Sequence, residues 1–259
     1  MIKKGKMFAE ERRNLILTQL QKEKRLAVKE LAKSLNVSEA TLRTDLNIME
    51  EEGLLTRTHG GAVLNESIPP KNNFSERAMK NIEYKQSVTN KAINLIQYKN
   101  SILLDASTTA LELARRLKET DMKLTVVTNG LSTAIELKEN PNINVIMLGG
   151  IARMGSMALE GLIGTAILNK INIDVMFTSA SGFTIEDGLT DFNVYEVELK
   201  KQLVSKADKV VALIDHTKLG KSSISSFAAI EQIDILITDE KLSDDWSKEL
   251  ASYHIEVID

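Results

Sequence analysis

Val37-Ser38-Glu39-Ala40-Thr41-Leu42-Arg43-Thr44-Asp45-Leu46 is the stretch on which the reading of this chain turns. Ser38 is a good N-cap, and Glu39 favours the positive end of a following helix. On such a helix Leu42, Leu46 and Met49 fall on one stripe at i, i+4, i+7, fit to pack on other helices. At about 100° per residue, Arg43, Thr44 and Asn47 then point away from that stripe, with Thr41 at the border. A cation, a hydroxyl and an amide on one face suit base edges in a major groove, and Ser38 at the helix start suits a phosphate. The bland alternative is a solvated helix face, because polar residues opposite an apolar stripe are ordinary.

The surroundings favour the sharper reading. Upstream, Phe8, Leu15, Ile16 and Leu20 follow a helical pattern over 8–20. Val28, Leu31, Ala32 and Leu35 suggest a second short helix, broken at Asn36. The third helix is expected to run to about Glu52 and stop at Gly53. Residues 54–63 then read as a hairpin with paired glycines at its turn, which places Arg57 and His59 on a wing as candidates for backbone or minor-groove contact. Three helices and a hairpin within residues 1–64 describe a winged helix-turn-helix. The charge agrees: residues 1–64 hold 12 Lys+Arg against 9 Asp+Glu, and the rest 21 against 27, inside a chain of net charge −3. A basic head on an acidic body is expected when one end meets phosphate.

Residues 65–73, with Ser67, Pro69-Pro70 and Asn72-Asn73, are the best linker. Beyond them, from residue 74 to 259, apolar runs recur at 102–104, 124–127, 145–148, 175–177, 210–214 and 233–237. Helical stretches at 109–118, 131–139 and 195–207 lie between several of them. Buried strands alternating with helices indicate a mainly parallel α/β sheet, larger than the head. Such a sheet binds ligands at its strand carboxyl ends. There the sequence places Asp105-Ala106-Ser107-Thr108-Thr109, then Thr128-Asn129-Gly130, Gly149-Gly150, and Asp215-His216-Thr217-Lys218. Hydroxyls and backbone N–H groups at a helix start cradle phosphate, bare glycines admit a ligand, and Lys218 supplies a cation. Helix capping and chain turning remain open for each loop.

Two segments of the head, 37–46 and Arg57-Thr58-His59-Gly60-Gly61-Ala62, resemble the recognition helix and wing of the DeoR-type bacterial regulators. That family usually has two adjacent arginines before the Asp, where this chain has Arg43-Thr44. The body is similar to the DeoR-type sensor domain at 101–109, 127–130, 147–150, 182–190 and 213–218. The resemblance implies a fold related to ribose-5-phosphate isomerase that binds a phosphorylated sugar. It assigns Asp105, Ser107, Thr108, Thr109, Thr128, Asn129, Gly149, Gly150 and Lys218 to the effector site, and brings Lys200 near it. His216-Thr217 stands where the family more often has two small residues.

Other functions find less support. Zero cysteines exclude disulfides, thiolate metal sites and cysteine nucleophiles. His59, His216 and His254 are scattered, so no metal is expected, and no P-loop or nucleophile elbow calls for a cofactor. A sugar-phosphate isomerase would need an acid pair after a central strand; after Asp174 the next acid is Glu186. A DNA binder whose body only oligomerises is the third reading. With no apolar run long enough for a membrane span, the expectation is a cytoplasmic, ligand-controlled repressor of a sugar-uptake or catabolic operon. It would bind double-stranded operator DNA as a homo-oligomer, since paired heads on two half-sites multiply affinity.

Overall fold

A computed structural model describes residues 9–51, 54–64 and 74–259, and the chain divides into two units, 1–73 and 74–259. The expected stop at Gly53 and the linker 65–73 lie outside the described residues.

In the first unit α1 (Ala9–Glu23) leads into a short strand β1 (Arg25–Ala27), then α2 (Val28–Leu35). Asn36 ends α2 in the left-handed region, φ 54° and ψ 45°, a conformation asparagine tolerates. After α3 (Glu39–Glu51), β2 (Leu55–Thr58) and β3 (Gly61–Leu64) form a hairpin, with His59-Gly60 as its two-residue turn. Ile16, Leu20, Leu31, Leu42, Leu46, Met49 and Leu55 are each at most 2% exposed, so the α3 stripe faces a closed core. Burying each such side chain stabilises by roughly 1.5–3 kcal/mol. Leu15 was expected on the apolar stripe of α1 but is exposed; Leu17 is buried instead.

β1 was not foreseen, because three residues carry no readable period. It pairs with β3, Leu26 opposite Ala62, giving the order β1-β3-β2. Gly61 lies within β3, and a Cβ there would stand 1.8 Å from the Leu26 carbonyl oxygen. That close approach requires glycine. Only Gly60 of the pair is in the turn.

The second unit opens with α4 (Phe74–Met79) and α5 (Ile82–Ala92). Four units of alternating strand and helix follow: β4 (Ser101–Leu104), α6 (Thr108–Lys118), β5 (Leu124–Thr128), α7 (Leu131–Leu137) and β6 (Ile143–Met147) come first. A small hairpin, β7 (Ile151–Ala152) and β8 (Leu159–Glu160), precedes β9 (Val175–Thr178). Then come β10 (Gly182–Thr184), β11 (Gly188–Asp191), α8 (Val194–Val204), β12 (Val210–Leu213) and β13 (Ser225–Ala228). β14 (Ile235–Ile237), α9 (Asp244–Ser252) and β15 (Glu256–Ile258) complete the chain.

The main sheet has the order β15-β14-β12-β9-β4-β5-β6, and all its pairings are parallel. Successive residues alternate between two cores. Ile102 and Leu104 pack with Val88 of α5 and Leu113 of α6; Leu103 packs on the other face with Val197 and Leu203 of α8. A second sheet, β10-β11-β13, is antiparallel. Because the seven strands run the same way, their carboxyl ends share one edge, and that edge carries the loops after β4, β5, β6, β9 and β12.

Candidate DNA-reading face and effector cleft

On α3 the candidate reading residues are presented as the periodicity requires. Ser38, Thr44, Asn47 and His59 are exposed, and Thr41, Arg43 and Arg57 are half-buried. Ser38 caps the helix: its Oγ accepts from Thr41 N at 3.0 Å and lies 2.8 Å from Thr41 Oγ1. Arg43 is only loosely paired with Glu39, 3.7 Å away on the same helix, a contact that phosphate can displace at little cost. Thr44 Oγ1 donates to Ala40 O at 3.1 Å. The wing is tied to the helix, since Arg57 donates to Asn47 Oδ1 and its backbone N–H to Glu50 Oε1 at 2.8 Å.

Asp45, in the middle of the motif, does not face outward. It accepts a forked bond from Arg12 of α1, Nε to Oδ2 at 2.6 Å and Nη2 to Oδ1 at 3.1 Å, with both side chains under 10% exposed. The pair fixes the rotation of α3 about its axis, and with it the direction of Arg43, Thr44 and Asn47.

At the carboxyl edge of the main sheet, the predicted residues separate into two groups. Asp105 and Lys200 are deeply buried and occupied by the protein itself. Lys200 Nζ donates to Ser179 O at 2.9 Å and Asp191 Oδ2 at 2.8 Å, and lies 3.1 Å from Asp105 Oδ2. Its three N–H donors are thereby spent. Asp105 also accepts from Thr178 Oγ1 at 2.6 Å, Ser179 N at 3.2 Å and Ser107 N at 3.0 Å. Burial works against these charges, yet Asp105 and Asp191 raise the pKa of Lys200 above its usual value, and Lys200 holds Asp191 below its own. Glu196 nearby is pushed up to about 7, chiefly by burial.

The second group lies where the start of α6 meets the loops after β5 and β12. Ser107 caps α6 through Ala110 N at 3.1 Å, leaving Thr108 and Thr109 as the first residues of an eleven-residue helix. Thr109 Oγ1 and Asn129 Oδ1 are buried without a hydrogen-bond partner, in residues each 1% exposed. Their loops adjoin, because a Cβ on Gly130 would lie 3.1 Å from Ala106 Cα. Lys218 reaches the same edge, donating to Ser179 Oγ at 2.9 Å and lying 3.3 Å from Asp215. Lys218 holds the Asp215 carboxyl low against the effect of burial. Thr128 turns inward to accept from Gly130 N at 3.0 Å.

Gly150 is required by the chain itself, whereas a Cβ on Gly149 would meet only Gly164 Cα, at 3.8 Å. A Cβ on Gly150 would meet Glu160 O at 2.6 Å, and one on Gly164 would meet Gly149 O at 2.2 Å. Gly150 and Gly164 let backbones approach one another, and Gly149 is not demanded by packing.

Lys85 of α5, which sequence reasoning passed over, joins this edge. It is 4% exposed, and its pKa falls to about 8 through burial and the neighbouring Lys218 charge. A lysine inside a helix carries no sequence mark of such a position. His216, Asp239 and Glu240 place ligand atoms within 4.8 Å of one another, a grouping that spacing did not reveal. Asp239 accepts from both His216 N and the ring Nδ1 at 2.7 Å, which explains the arrangement without an ion and raises the His216 pKa. An open hollow of about 410 Å³ beside Lys99, Lys123 and Asn142 lies at the opposite, amino-terminal edge of the strands, away from all these groups.

A helix-turn-helix head joined to a parallel α/β body that gathers hydroxyls and lysines at the carboxyl edge of its sheet defines a DNA-binding regulator with a sensor unit. The comparisons give the family. Residues 12–68 match the DeoR-like helix-turn-helix domain and residues 80–240 the DeoR C terminal sensor domain, so the chain belongs to the DeoR family of transcriptional regulators. It is 48% identical to the HTH-type transcriptional regulator GolR of Listeria innocua, over 92% of this chain and 93% of that one. To the HTH-type transcriptional regulator GlpR of Haloferax volcanii it is 34% identical, over 98% of both. The putative aga operon transcriptional repressor of Escherichia coli O157:H7 is 30% identical over 96% of this chain and 93% of its own length. Among solved structures, ribose 5-phosphate isomerase A of Methanocaldococcus jannaschii aligns with a TM-score of 0.41 and 18% identity, over 54% of this chain and 55% of that one. Among the described residues no helix is long and apolar enough to cross a membrane.

Proposed function

We propose that this regulator is a homo-oligomeric, cytoplasmic repressor of a sugar-uptake or catabolic operon, released or retained on double-stranded operator DNA by a phosphorylated sugar. Operator bases are read by Arg43, Thr44 and Asn47, with Ser38, Thr41, Arg57 and His59 on flanking phosphates or the minor groove. The effector lies between the start of α6, Asn129 and Lys218. The observation that carries this reading is the pair of buried, unpartnered atoms, Thr109 Oγ1 and Asn129 Oδ1. A buried polar atom without a partner costs about 1–3 kcal/mol, which ligand hydroxyls would recover. Helix N–H groups and an ammonium at the same edge add an anion to the ligand's description. Repression is favoured by the printed name of the Escherichia coli relative.

A catalytic role has less support. The carboxylates at this edge are already engaged, Asp105 and Asp191 by Lys200 and Asp215 by Lys218 at 3.3 Å, which disfavours any of them as a base toward a substrate carbon.

The test is a melting-temperature screen of the full chain against sugar phosphates and the same sugars without phosphate. A phosphorylated sugar should raise the melting temperature, by mass action, in wild type and much less in Thr109→Val and Lys218→Ala. Equal shifts in wild type and both variants would remove the proposed cleft. Recovery of the ligand unchanged supports a sensor; its conversion would revive an isomerase. Arg43→Ala should lose at least about fivefold in affinity for operator fragments selected from a random library, the cost of a base or phosphate contact of about 1–3 kcal/mol. Unchanged affinity would mean that another face reads DNA.

A further inference from the structure

The placement of α5 makes Lys85 a junction. Asn81, at the start of that helix, donates from Nδ2 to Thr217 Oγ1 at 3.2 Å, and Tyr84 packs edge-on against His216 with ring centroids 4.6 Å apart. The first turn of α5 therefore rests on the turn that carries Lys218. On its other side α5 lies along α6: Gln86 donates to Glu112 Oε1 at 3.3 Å, and Arg116 Nε to Thr89 Oγ1 at 2.8 Å. Lys85 Nζ donates to Lys80 O at 2.7 Å and to Arg77 O, the carbonyls at the end of α4. An ammonium has three N–H donors, so one remains. The charged groups around it are Lys218, Asp215, Arg77 and Glu112. Asp215 already pairs with Lys218, and Glu112 with Arg115 at 3.2 Å. Positive charge is left in excess beside a helix N-terminus.

We infer that Lys85 is the second ammonium of the effector cleft, and that an anion seated between it and Lys218 fixes α4 through the same ammonium. The inference rests on the cleft being the effector site. The anion accepts the third N–H and keeps the ammonium charged, and the charged ammonium holds the carbonyls of Arg77 and Lys80. Because α4 is the first element after residues 65–73, occupancy is registered where the chain leaves the sensor for the DNA-binding unit. With its pKa near 8, Lys85 in the empty protein is largely neutral by pH 9, so α4 loosens there and phosphate restores it.

The experiment is amide hydrogen exchange across residues 77–81 of the full chain, with inorganic phosphate as the probe, at pH 7 and pH 9. At pH 9 about one lysine in ten remains charged, so phosphate should slow exchange by up to about tenfold beyond the intrinsic pH effect. At pH 7 the slowing should be smaller. Lys218→Met should abolish both the phosphate-induced melting shift and the slowing; Lys85→Met should bind phosphate more weakly, and Lys85→Arg should recover most of that binding. If phosphate raises the melting temperature, and Lys218→Met prevents it, while exchange over 77–81 is unchanged, the coupling is refuted and the cleft stands. If Lys85→Met folds and binds phosphate as wild type does, the assignment of Lys85 is refuted. If phosphate binds nowhere, both the inference and the effector reading fall.

Discussion

Replacing Lys200 by Met decides whether that lysine pins the sensor fold or touches the ligand. The ammonium serves Asp105 at 3.1 Å, Asp191 at 2.8 Å and Ser179 O at 2.9 Å, and Lys200 is 1% exposed. Removing one partner of a buried ion pair costs about 3–5 kcal/mol. Here two carboxylates lose the same cation, and the fold limits the damage by protonating one of them. For an aspartate of ordinary pKa near 4, protonation at pH 7 costs about three pH units, or about 4 kcal/mol. A loss of about 4 kcal/mol at pH 7 is therefore expected. The sign of its pH dependence follows. An unpaired buried aspartate has a folded pKa above its unfolded one, so its contribution is fully present below the unfolded pKa and lost as pH rises. The deficit against wild type should shrink by about 1.4 kcal/mol per pH unit between pH 7 and pH 4. Urea unfolding followed through Trp246 is the assay, since it is the chain's single tryptophan and packs on Phe183 at 5.9 Å in the same unit. A loss below about 1 kcal/mol, or a deficit indifferent to pH, would refute the reasoning. Loss of the effector response at full stability would make Lys200 a ligand contact.

Three other outcomes are expected. Glu196, raised by burial to about 7, gives stability that is present below pH 4.5 and lost as pH rises to 7; Glu196→Gln should abolish a decline of about 3 kcal/mol in that window, read by the same urea titration. Gly61→Ala brings a methyl to 1.8 Å from Leu26 O and should part β1 from β3, raising amide exchange at residues 25–27 at least about tenfold; protection equal to wild type would count against that contact. Asp45→Asn removes the charge that Arg12 grips and should cost about 2–3 kcal/mol, seen as faster exchange across α3 with little change at α5 and α6.

The sequence was most informative where burial is two-sided. Ile102, Leu103 and Leu104 read as a run because each is 0% exposed, one pair of faces serving two cores. The recognition stripe was equally plain, for Leu42, Leu46 and Met49 all point into one core. β1, β10 and β11 left no such trace, because Arg25-Leu26-Ala27, Gly182-Phe183-Thr184 and Gly188-Leu189-Thr190-Asp191 carry no run of large apolar residues. Partnerships across long stretches were hidden too. Nothing local joins Arg12 to Asp45, or Lys200 to Asp105, because each pair is made by packing of separate elements. The cleft divided accordingly. Thr109 and Asn129 were readable as strand-end polar residues, whereas Lys85 looked like any helix lysine.

The bond between Arg57 and Asn47 has a consequence for what this head can discriminate. Adenine is recognised by a side-chain amide that gives a hydrogen to N7 and takes one from N6, and the taking is done by the oxygen. On the proposed reading, one of the two lone pairs of Asn47 Oδ1 is already taken by the wing, so a hydrogen from adenine N6 must arrive along the other. The direction from which Asn47 would meet a purine is then set by where the wing arginine sits. A change in the hairpin would in that way alter the aim of α3 without touching its sequence.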